Sequence, residues 1–130
     1  MNPIRILVIP PEASPYPTEI PHTLAAMQSI VGGDIEALYP FDDPVGIICA
    51  ESGKLVGLPP NRALRDSDGK IYDVIAGTFF LAGLDAANFT SLPDDLLEKY
   101  TNRFRFAEIF IKVNGEIHAI SYDPKESCHV

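Results

Sequence analysis

The sequence predicts a single domain of the α+β class, in which two helices pack on a mainly antiparallel sheet. The chain has 130 residues, of which 46% are hydrophobic and 22% charged, as in an ordinary globular domain with a real core. Apolar runs of strand length alternate with turn-forming dipeptides such as Asp-Pro, Ser-Gly, Asp-Gly and Asn-Gly. Two other segments show the apolar spacing of helices. Strands joined by tight turns pair with their chain neighbours, and this predicts the antiparallel arrangement.

The first 33 residues predict a strand, an extended edge and a helix. Residues 4–9 (IRILVI) are rich in β-branched side chains and end at two prolines, which is typical of a strand. Five prolines in residues 10–21 exclude regular helix, so we expect part of this segment to be an extended edge. The apolar positions of residues 22–31 follow helical spacing, and Gly32-Gly33 provides a stop.

Residues 34–64 predict a hairpin followed by a short helical turn. Residues 34–41 (DIEALYPF) alternate as a half-buried strand does, and Val45–Ala50 is a second strand across a longer loop. Residues 51–54 (ESGK) predict a tight turn. After Pro59-Pro60, we expect Asn61 to cap a short helical turn that ends at residue 64.

The next long apolar run, residues 71–84 (IYDVIAGTFFLAGL), follows a turn at residues 66–69 (DSDG). Because it holds Gly77 and Gly83, it predicts one strand that bulges or meets other backbone closely.

The last third of the chain predicts a helix and a hairpin. We expect Ser91 to cap the helix, with Asp94 three residues later as a weak variant of the capping box. The residues expected on its inner face are Leu96, Leu97 and Tyr100. Two strands, residues 106–113 and Glu116–Tyr122, join across Asn114-Gly115, the strongest short signal of a hairpin. Residues 123–130 are expected to be a flexible tail.

These elements predict which side chains form the core. The expected core residues are Ile6, Val8, Leu24, Met27, Ile30, Ile47, Ile48, Val74, Phe79, Phe80, Leu97 and Ile111.

The charge of the chain limits its partners. The formal net charge is −8, and the ten basic residues form no run, so we expect no direct binding to a nucleic-acid backbone. An acidic balance favours solubility, a basic protein partner, or imitation of the charge of a nucleic acid. No run approaches the length of a membrane span, and no signal peptide is visible, so a cytoplasmic location is expected.

No pattern in the sequence predicts catalysis, a metal site or a cofactor. The three histidines are scattered, and the DSDG turn lacks the ligands that a calcium loop needs. Cys49 lies in an apolar run, where a thiol is usually inert, and Cys128 is far from it. The adjacent carboxylates at residues 42–43 and 94–95 point different ways in strand or helix. We therefore expect a protein that is not an enzyme.

Arg62 is the best single candidate for ligand recognition. It follows the rigid Pro59-Pro60, and its guanidinium has five donors in a fork that suits phosphate or carboxylate. Asn61 could read a base or ribose edge, and nearby aromatic rings could stack on the ligand. The complete candidate ligand-binding set is Tyr39, Phe41, Asn61, Arg62, Arg65, Tyr72 and Thr78. The alternative is structural: Asn61 caps a helix and Arg62 pairs with a neighbouring aspartate.

Four runs in the chain carry a family resemblance. They are IVGGDIE (residues 30–36), YPFDDPV (39–45), GLPPNRAL (57–64) and IAGTFF (75–80). With these runs, residues 4–106 resemble an uncharacterised domain family found in phage, plasmid and conjugative-element proteins of Firmicutes. The resemblance implies a small accessory protein of a mobile element in the bacterial host's cytoplasm, which counters host defence.

Two modes of action fit that setting. One is to bind and sequester a small anionic ligand, above all a nucleotide immune signal, and the candidate Arg, Asn and aromatic set favours it. The alternative is an acidic inhibitor that imitates DNA and binds a host defence protein. We also expect a homo-oligomer, because residues 71–84 have few charges that would block pairing at a strand edge.

Overall fold

A six-stranded antiparallel sheet forms the centre of the computed structural model, which describes residues 3–86 and 88–125. With two helices and two further antiparallel strand pairs, the architecture confirms the predicted α+β class. The elements in chain order are β1 (Ile4–Ile9), β2 (Tyr16–Ile20), α1 (Leu24–Val31), β3 (Ile35–Leu38), β4 (Val45–Ala50), β5 (Pro60–Arg65), β6 (Ile71–Ala76), β7 (Phe79–Asp85), β8 (Asn88–Thr90), α2 (Asp94–Arg103), β9 (Ala107–Val113) and β10 (Glu116–Tyr122). Residues 126–130 of the predicted tail lie outside the described residues. Within the described residues, no helix is long and apolar enough to cross a membrane.

The central sheet has the order β2-β1-β7-β4-β3, and β8 also pairs with β7. Leu81 lies opposite Leu7 on one side and Ile47 on the other, so β7 is paired on both sides. The hairpin of β3 and β4 confirms the one predicted from alternation, and β2 is the extended edge predicted in the proline-rich segment.

The two faces of the central sheet bury separate groups of side chains, because neighbouring strand residues point to opposite sides. On one face, Phe79 and Leu81 pack with α2 and with side chains of β5 and β6. On the other face, Phe80 and Ala82 pack against Met27 and other residues of α1. The sheet therefore lies between α1 on one side and α2 with the β5–β6 pair on the other.

Two strand pairs lie outside the central sheet, and we call them ribbon A (β5 and β6) and ribbon B (β9 and β10). The predicted turn at Asn114-Gly115 is present, with φ of 51° and 84°, as a tight two-residue hairpin turn requires. The ribbons meet where the backbone N–H of Ala63 in β5 donates to the buried carboxylate of Glu108 in β9 at 2.9 Å.

The predicted helical turn at Asn61 is wrong, because residues 60–65 form strand β5. Proline fixes its own backbone and pushes the residue before it into extended conformation, so Pro59-Pro60 leads more readily into a strand. The Asn61 amide donates to the carbonyls of Ile9 and Gly77 and does not cap a helix.

The single strand predicted over residues 71–84 is also wrong. The chain turns at Gly77, which has φ of +81°, and the two halves belong to different sheets. Strand β6 pairs with β5 in ribbon A, whereas β7 is the middle strand of the central sheet.

The cap predicted at Ser91 is wrong as well. Helix α2 begins at Asp94 after Pro93, and no side chain caps it. The Ser91 hydroxyl accepts instead from the backbone N–H of Arg5 at 3.0 Å. The side chain of Arg5 in turn donates to Asp94 at 2.8 Å, so the segment before the helix is fastened to β1.

Seven of the predicted core residues are buried, and these are Ile6, Val8, Met27, Ile47, Ile48, Phe79 and Phe80. Ile30, Val74 and Leu97 are half-buried. The prediction is wrong for Leu24 and Ile111, which are 58% and 44% exposed. Leu24 is the first residue of α1, and Ile111 lies in ribbon B, whose two strands cannot enclose both of their faces.

Candidate functional site

The seven candidate ligand-binding residues lie in separate parts of the molecule. Asn61 and Arg62 are buried, each with only 1% of its surface exposed. Arg65 and Tyr72 lie in ribbon A beside a large groove. The remaining three, Tyr39, Phe41 and Thr78, line neither this groove nor a second cavity described below.

The Arg62 guanidinium is fully occupied by acceptors of the same chain. Nε and Nη2 donate to the carbonyl of Phe104 at 3.3 and 2.9 Å, and Nη2 also donates to the carbonyl of Ala13 at 2.8 Å. Nη1 donates to the carbonyl of Pro10 at 3.4 Å and to Oδ1 of Asn61 at 2.8 Å. These contacts use all five N–H donors of the side chain. In this conformation, Arg62 has no donor left for a phosphate.

The structural alternative predicted that Arg62 pairs with a neighbouring aspartate. Its partners are instead backbone carbonyls and the side chain of Asn61. Burial lowers the pKa of the Arg62 guanidinium from its ordinary value, and the nearby carboxylate of Glu108 works in the opposite direction. Glu108 itself binds Arg65 at 2.6 Å. Since the carbonyls beside Arg62 come from the loop after β1 and from the end of α2, the side chain joins segments distant in sequence.

Two candidate aromatic residues, Tyr39 and Phe41, lie on the loop after β3, and the ring of Phe41 contacts α2. The ring of Phe41 packs on Tyr100 at 4.6 Å between centroids, and the Arg103 guanidinium lies 4.9 Å above it. Tyr39 is 61% exposed on the loop after β3. Thr78 is half-buried in the break between β6 and β7. Neither of the two rings, nor Thr78, lies beside Arg65 and Tyr72 in the groove.

A groove of about 1000 Å³ lies between ribbon A and ribbon B. Tyr72 and Val74 line it from β6. Phe110 and Lys112 of β9 line it from the other ribbon, together with Ile117 and Ala119 of β10. Lys112 lies opposite Ile117 and Phe110 opposite Ala119, so these four side chains share one face of ribbon B. Ile111 and His118, which pair on the other face, also contribute to the lining. We call this cavity the ribbon groove.

Basic side chains are concentrated in the ribbon groove. Of the ten basic residues in the sequence, four line it: Lys54, Arg65, Lys70 and Lys112. His118 is also present, whereas only two of the seventeen acidic residues that the structure describes, Asp73 and Glu116, contribute to the lining. A chain of net charge −8 thus has a basic cleft, where the field of several like charges favours an anion.

The four basic residues of the groove differ in their freedom. Lys54 is paired with Asp73 and Arg65 with Glu108. Lys70 and Lys112 make no ion pair in the part of the chain that the structure describes. Two lysines are therefore available to an incoming anion without the loss of an existing ion pair.

A smaller cavity of about 310 Å³ adjoins the groove and contains Cys49. Burial raises the pKa of the Cys49 thiol to about 11, and the carboxylates of Glu36 and Asp73 add to this effect. The thiolate is the nucleophilic form of cysteine. Because Cys49 stays protonated near neutral pH, this thiol is not an activated nucleophile.

Sequence reasoning missed Lys54, Lys70, Phe110 and Lys112. For three of them, Lys70, Phe110 and Lys112, the spacing in the sequence contains a usable signal. Lys70 and Tyr72 are two positions apart, as are Phe110 and Lys112, and residues two apart share one face of an extended chain. Each ribbon thus offers one aromatic ring and one lysine on the same face, but only the fold shows that the faces line one groove.

Comparisons with known proteins identify a family. The model of a family described as "Domain of unknown function (DUF3846)" matches residues 4–105. The match includes ribbon A and stops just before β9, so ribbon B lies beyond it. No curated protein and no solved structure matches the chain.

Proposed function

The chain belongs to the DUF3846 family, and we propose that it binds a small anionic ligand with an aromatic ring in the ribbon groove. The observation that carries the proposal is the concentration of four of ten basic residues around one cavity in an acidic protein. Arg65 and Tyr72, two of the candidates from the sequence, remain part of this site. Asn61 and Arg62 support it from behind, since they hold ribbon A against β1 and the end of α2.

The charges of the groove favour phosphate or carboxylate. Lys70 directly precedes β6 of ribbon A and Lys112 lies in β9 of ribbon B, so an anion between them would receive hydrogen bonds from both sides of the groove. Arg65 and Lys54, already paired with carboxylates, contribute positive potential. An anion near these side chains would neutralise repulsion that the free protein contains.

The apolar lining favours a ring in the same ligand. Tyr72 is 58% exposed, and Phe110 is half-buried on the opposite ribbon. Val74, Ile117 and Ala119 extend the apolar surface between them. Nucleotide sites usually combine an aromatic side chain that stacks on the base with basic side chains that neutralise the phosphate. A volume of about 1000 Å³ is at the upper end for small-molecule sites and has room for more than one base.

We take the activity to be binding without turnover. A protein that holds such a ligand and does not convert it lowers the free concentration, which is sequestration. The proposed ligand is a nucleotide immune signal, and the proposed setting is a mobile-element accessory protein in the host bacterial cytoplasm that counters host defence. This setting rests on the sequence resemblance, whereas the ligand class rests on the charges and rings of the groove.

The test is ligand binding by purified protein, measured by calorimetry with nucleoside monophosphates, triphosphates and cyclic dinucleotides. Small molecules released on denaturation are identified by mass spectrometry in parallel. The double variant Lys70→Ala, Lys112→Ala should bind at least about tenfold more weakly, because charge-assisted hydrogen bonds are lost. Tyr72→Ala should weaken nucleotides more than inorganic phosphate, since only the ring contact is removed.

Lys99→Ala is the matched control, because it removes a lysine charge on α2 away from the groove. It should leave the affinity unchanged. If Lys99→Ala lost as much affinity as the groove variant, the loss would come from the change in net charge and not from the groove. The proposal is wrong if no nucleotide binds and none is released.

The acidic inhibitor is the second candidate, and the same distribution of charge favours it. Of the seventeen acidic residues that the structure describes, fifteen lie outside the groove lining, so the rest of the surface carries most of the negative charge. Such a surface could imitate a nucleic acid and occupy a basic protein partner. Two results together would favour this function. The purified protein would bind no nucleotide, and it would capture a DNA-binding host protein that added DNA displaces.

A further inference from the structure

Several strand edges of the molecule are protected in different ways, whereas the edge of β10 lacks these protections. Edge strands commonly avoid unwanted pairing through proline, short length or bulges. Strand β2 contains Pro17, while β3 and β8 have only four and three residues. Ribbon A has two register shifts. Strand β10 has seven residues in regular register with β9, and it contains no proline, glycine or lysine.

Ribbon B also exposes apolar side chains that a two-stranded unit leaves uncovered. Five of them are each between 44% and 51% exposed, namely Ile109, Ile111, Val113, Ile117 and Ile120. Two-stranded ribbons are marginal alone, and further strands are the usual source of their stability. Within the described chain, β10 pairs only with β9, so its outer edge is free.

The register shows which backbone groups lie on this free edge. Val113 and Glu116 flank the two-residue turn and form its closing hydrogen-bonded pair. Hydrogen-bonded and non-hydrogen-bonded pairs alternate along an antiparallel ladder. The N–H and C=O groups of Ile117, Ala119 and Ser121 therefore point away from β9.

These outward groups match a second copy of the same strand. A two-fold axis at Ala119 places Ala119 opposite itself and Ile117 opposite Ser121, and each of these pairs can exchange backbone hydrogen bonds. The same axis places Glu116 opposite Tyr122. No two like charges face each other, so strand β10 is self-complementary in charge as well as in hydrogen bonding.

We propose that β10 pairs with β10 of a second copy and forms a continuous four-stranded antiparallel sheet from two copies of ribbon B. This goes beyond ligand binding, and it places the oligomer interface differently from the expectation at residues 71–84. Part of that segment, β7, is paired on both sides within one chain and offers no edge. The pairing would extend both faces of ribbon B and cover part of the exposed isoleucines.

Sedimentation equilibrium of the full chain at micromolar concentration should give twice the mass of one chain. Ala119→Pro removes an outward N–H and leaves the bonds between β9 and β10 in place, so the dimer should weaken at least about tenfold. Circular dichroism should show that this variant keeps the fold. A wild-type monomer, or a dimer that Ala119→Pro does not weaken, would overturn the proposal.

Cross-linking gives an independent test that does not depend on a proline. In a Cys128→Ser background, Ala119→Cys places two thiols at facing positions about 5.5 Å apart between Cα atoms, which suits a disulfide. Ser121→Cys is the control, because its two copies would be offset by about 13 Å along the strands. Rapid disulfide formation only in Ala119→Cys is the expected result. Equal rates in the two variants, or none, would contradict pairing at Ala119, and a monomer whose β10 edge pairs with a strand of another protein would overturn self-pairing.

Discussion

Arg62 supports the fold by a mechanism that predicts the effect of its removal. Its guanidinium satisfies the carbonyl of Phe104, just past the end of α2, where helix carbonyls lack partners and a positive charge is favourable. Arg62→Ala should lower the free energy of unfolding by about 3 kcal/mol or more, because buried carbonyls lose their donors. Arg62→Lys should recover only part of this, since lysine cannot reproduce the fork. Urea unfolding measures both effects.

Arg105→Ala is the control for this prediction, because Arg105 is an exposed arginine whose guanidinium lies 4.7 Å above the ring of Phe106. It should cost less than about 1 kcal/mol. If Arg62→Ala unfolded at the wild-type urea concentration and yet lost nucleotide binding, Arg62 would be a ligand contact and not a support.

The sequence was enough to single out Asn61 and Arg62 as unusual, but it could not predict that they are buried or which groups they contact. Two polar residues after Pro-Pro, within apolar runs, are unusual enough to single out. Their backbone acceptors lie 42 to 52 residues away, except for the carbonyl of Gly77, which is 16 residues away. Local pattern contains no information on which distant carbonyls meet a guanidinium. It therefore could not distinguish a buried support from an exposed ligand site.

Gly77 allows the chain to pass from ribbon A into the central sheet. It has φ of +81°, its N–H donates to the carbonyl of Pro59, and its carbonyl accepts from Asn61. A Cβ at this position would lie 2.7 Å from Cδ1 of Leu58. Gly77→Ala should therefore lower the free energy of unfolding by about 2 kcal/mol, from backbone strain and from the contact with Leu58.

Gly69→Ala separates the two contributions to this effect. Gly69 also has φ of +81°, but a Cβ atom added to it would have no heavy atom within 4 Å apart from those of residues 68–70. It should show the backbone strain alone, about 1 kcal/mol. A loss in Gly77→Ala that does not exceed the loss in Gly69→Ala would show that Leu58 moves aside freely. Thermal unfolding of both variants beside wild type gives the comparison.

At the scale of elements, the sequence was sufficient where a local signal and the tertiary arrangement agree. The Asn-Gly hairpin and the helix that ends before Gly32 are such cases, because turn and cap chemistry act within a few residues. The prediction of one strand over residues 71–84 was wrong, because the apolar pattern continues through Gly77 while the chain passes from one sheet to another. The prediction that Ser91 caps a helix was wrong, because its hydroxyl accepts a hydrogen bond from the N–H of Arg5, which is distant in sequence.

At the scale of the whole molecule, the central sheet couples two cores that share no helix. One core contains α2 and ribbon A, and the other contains α1. Strand β7 contributes to both, with Phe79 in the first and Phe80 in the second, and neither ring is exposed. Because the two rings belong to neighbouring residues of one central strand, damage to either core should weaken the same backbone ladder.

Phe79→Ala and Phe80→Ala should each lower the free energy of unfolding by about 3–5 kcal/mol, the usual cost of deleting a buried phenylalanine. Phe79 should be the more costly, because it also loses an edge-to-face contact with Phe104 at 5.7 Å. Leu97→Ala should cost less than either, since Leu97 is only half-buried. Far- and near-ultraviolet circular dichroism should report one shared transition for every variant, because both cores depend on the same sheet. Two separate transitions in Phe80→Ala, with the α1 side melting first, would show that the cores unfold independently and that β7 does not couple them.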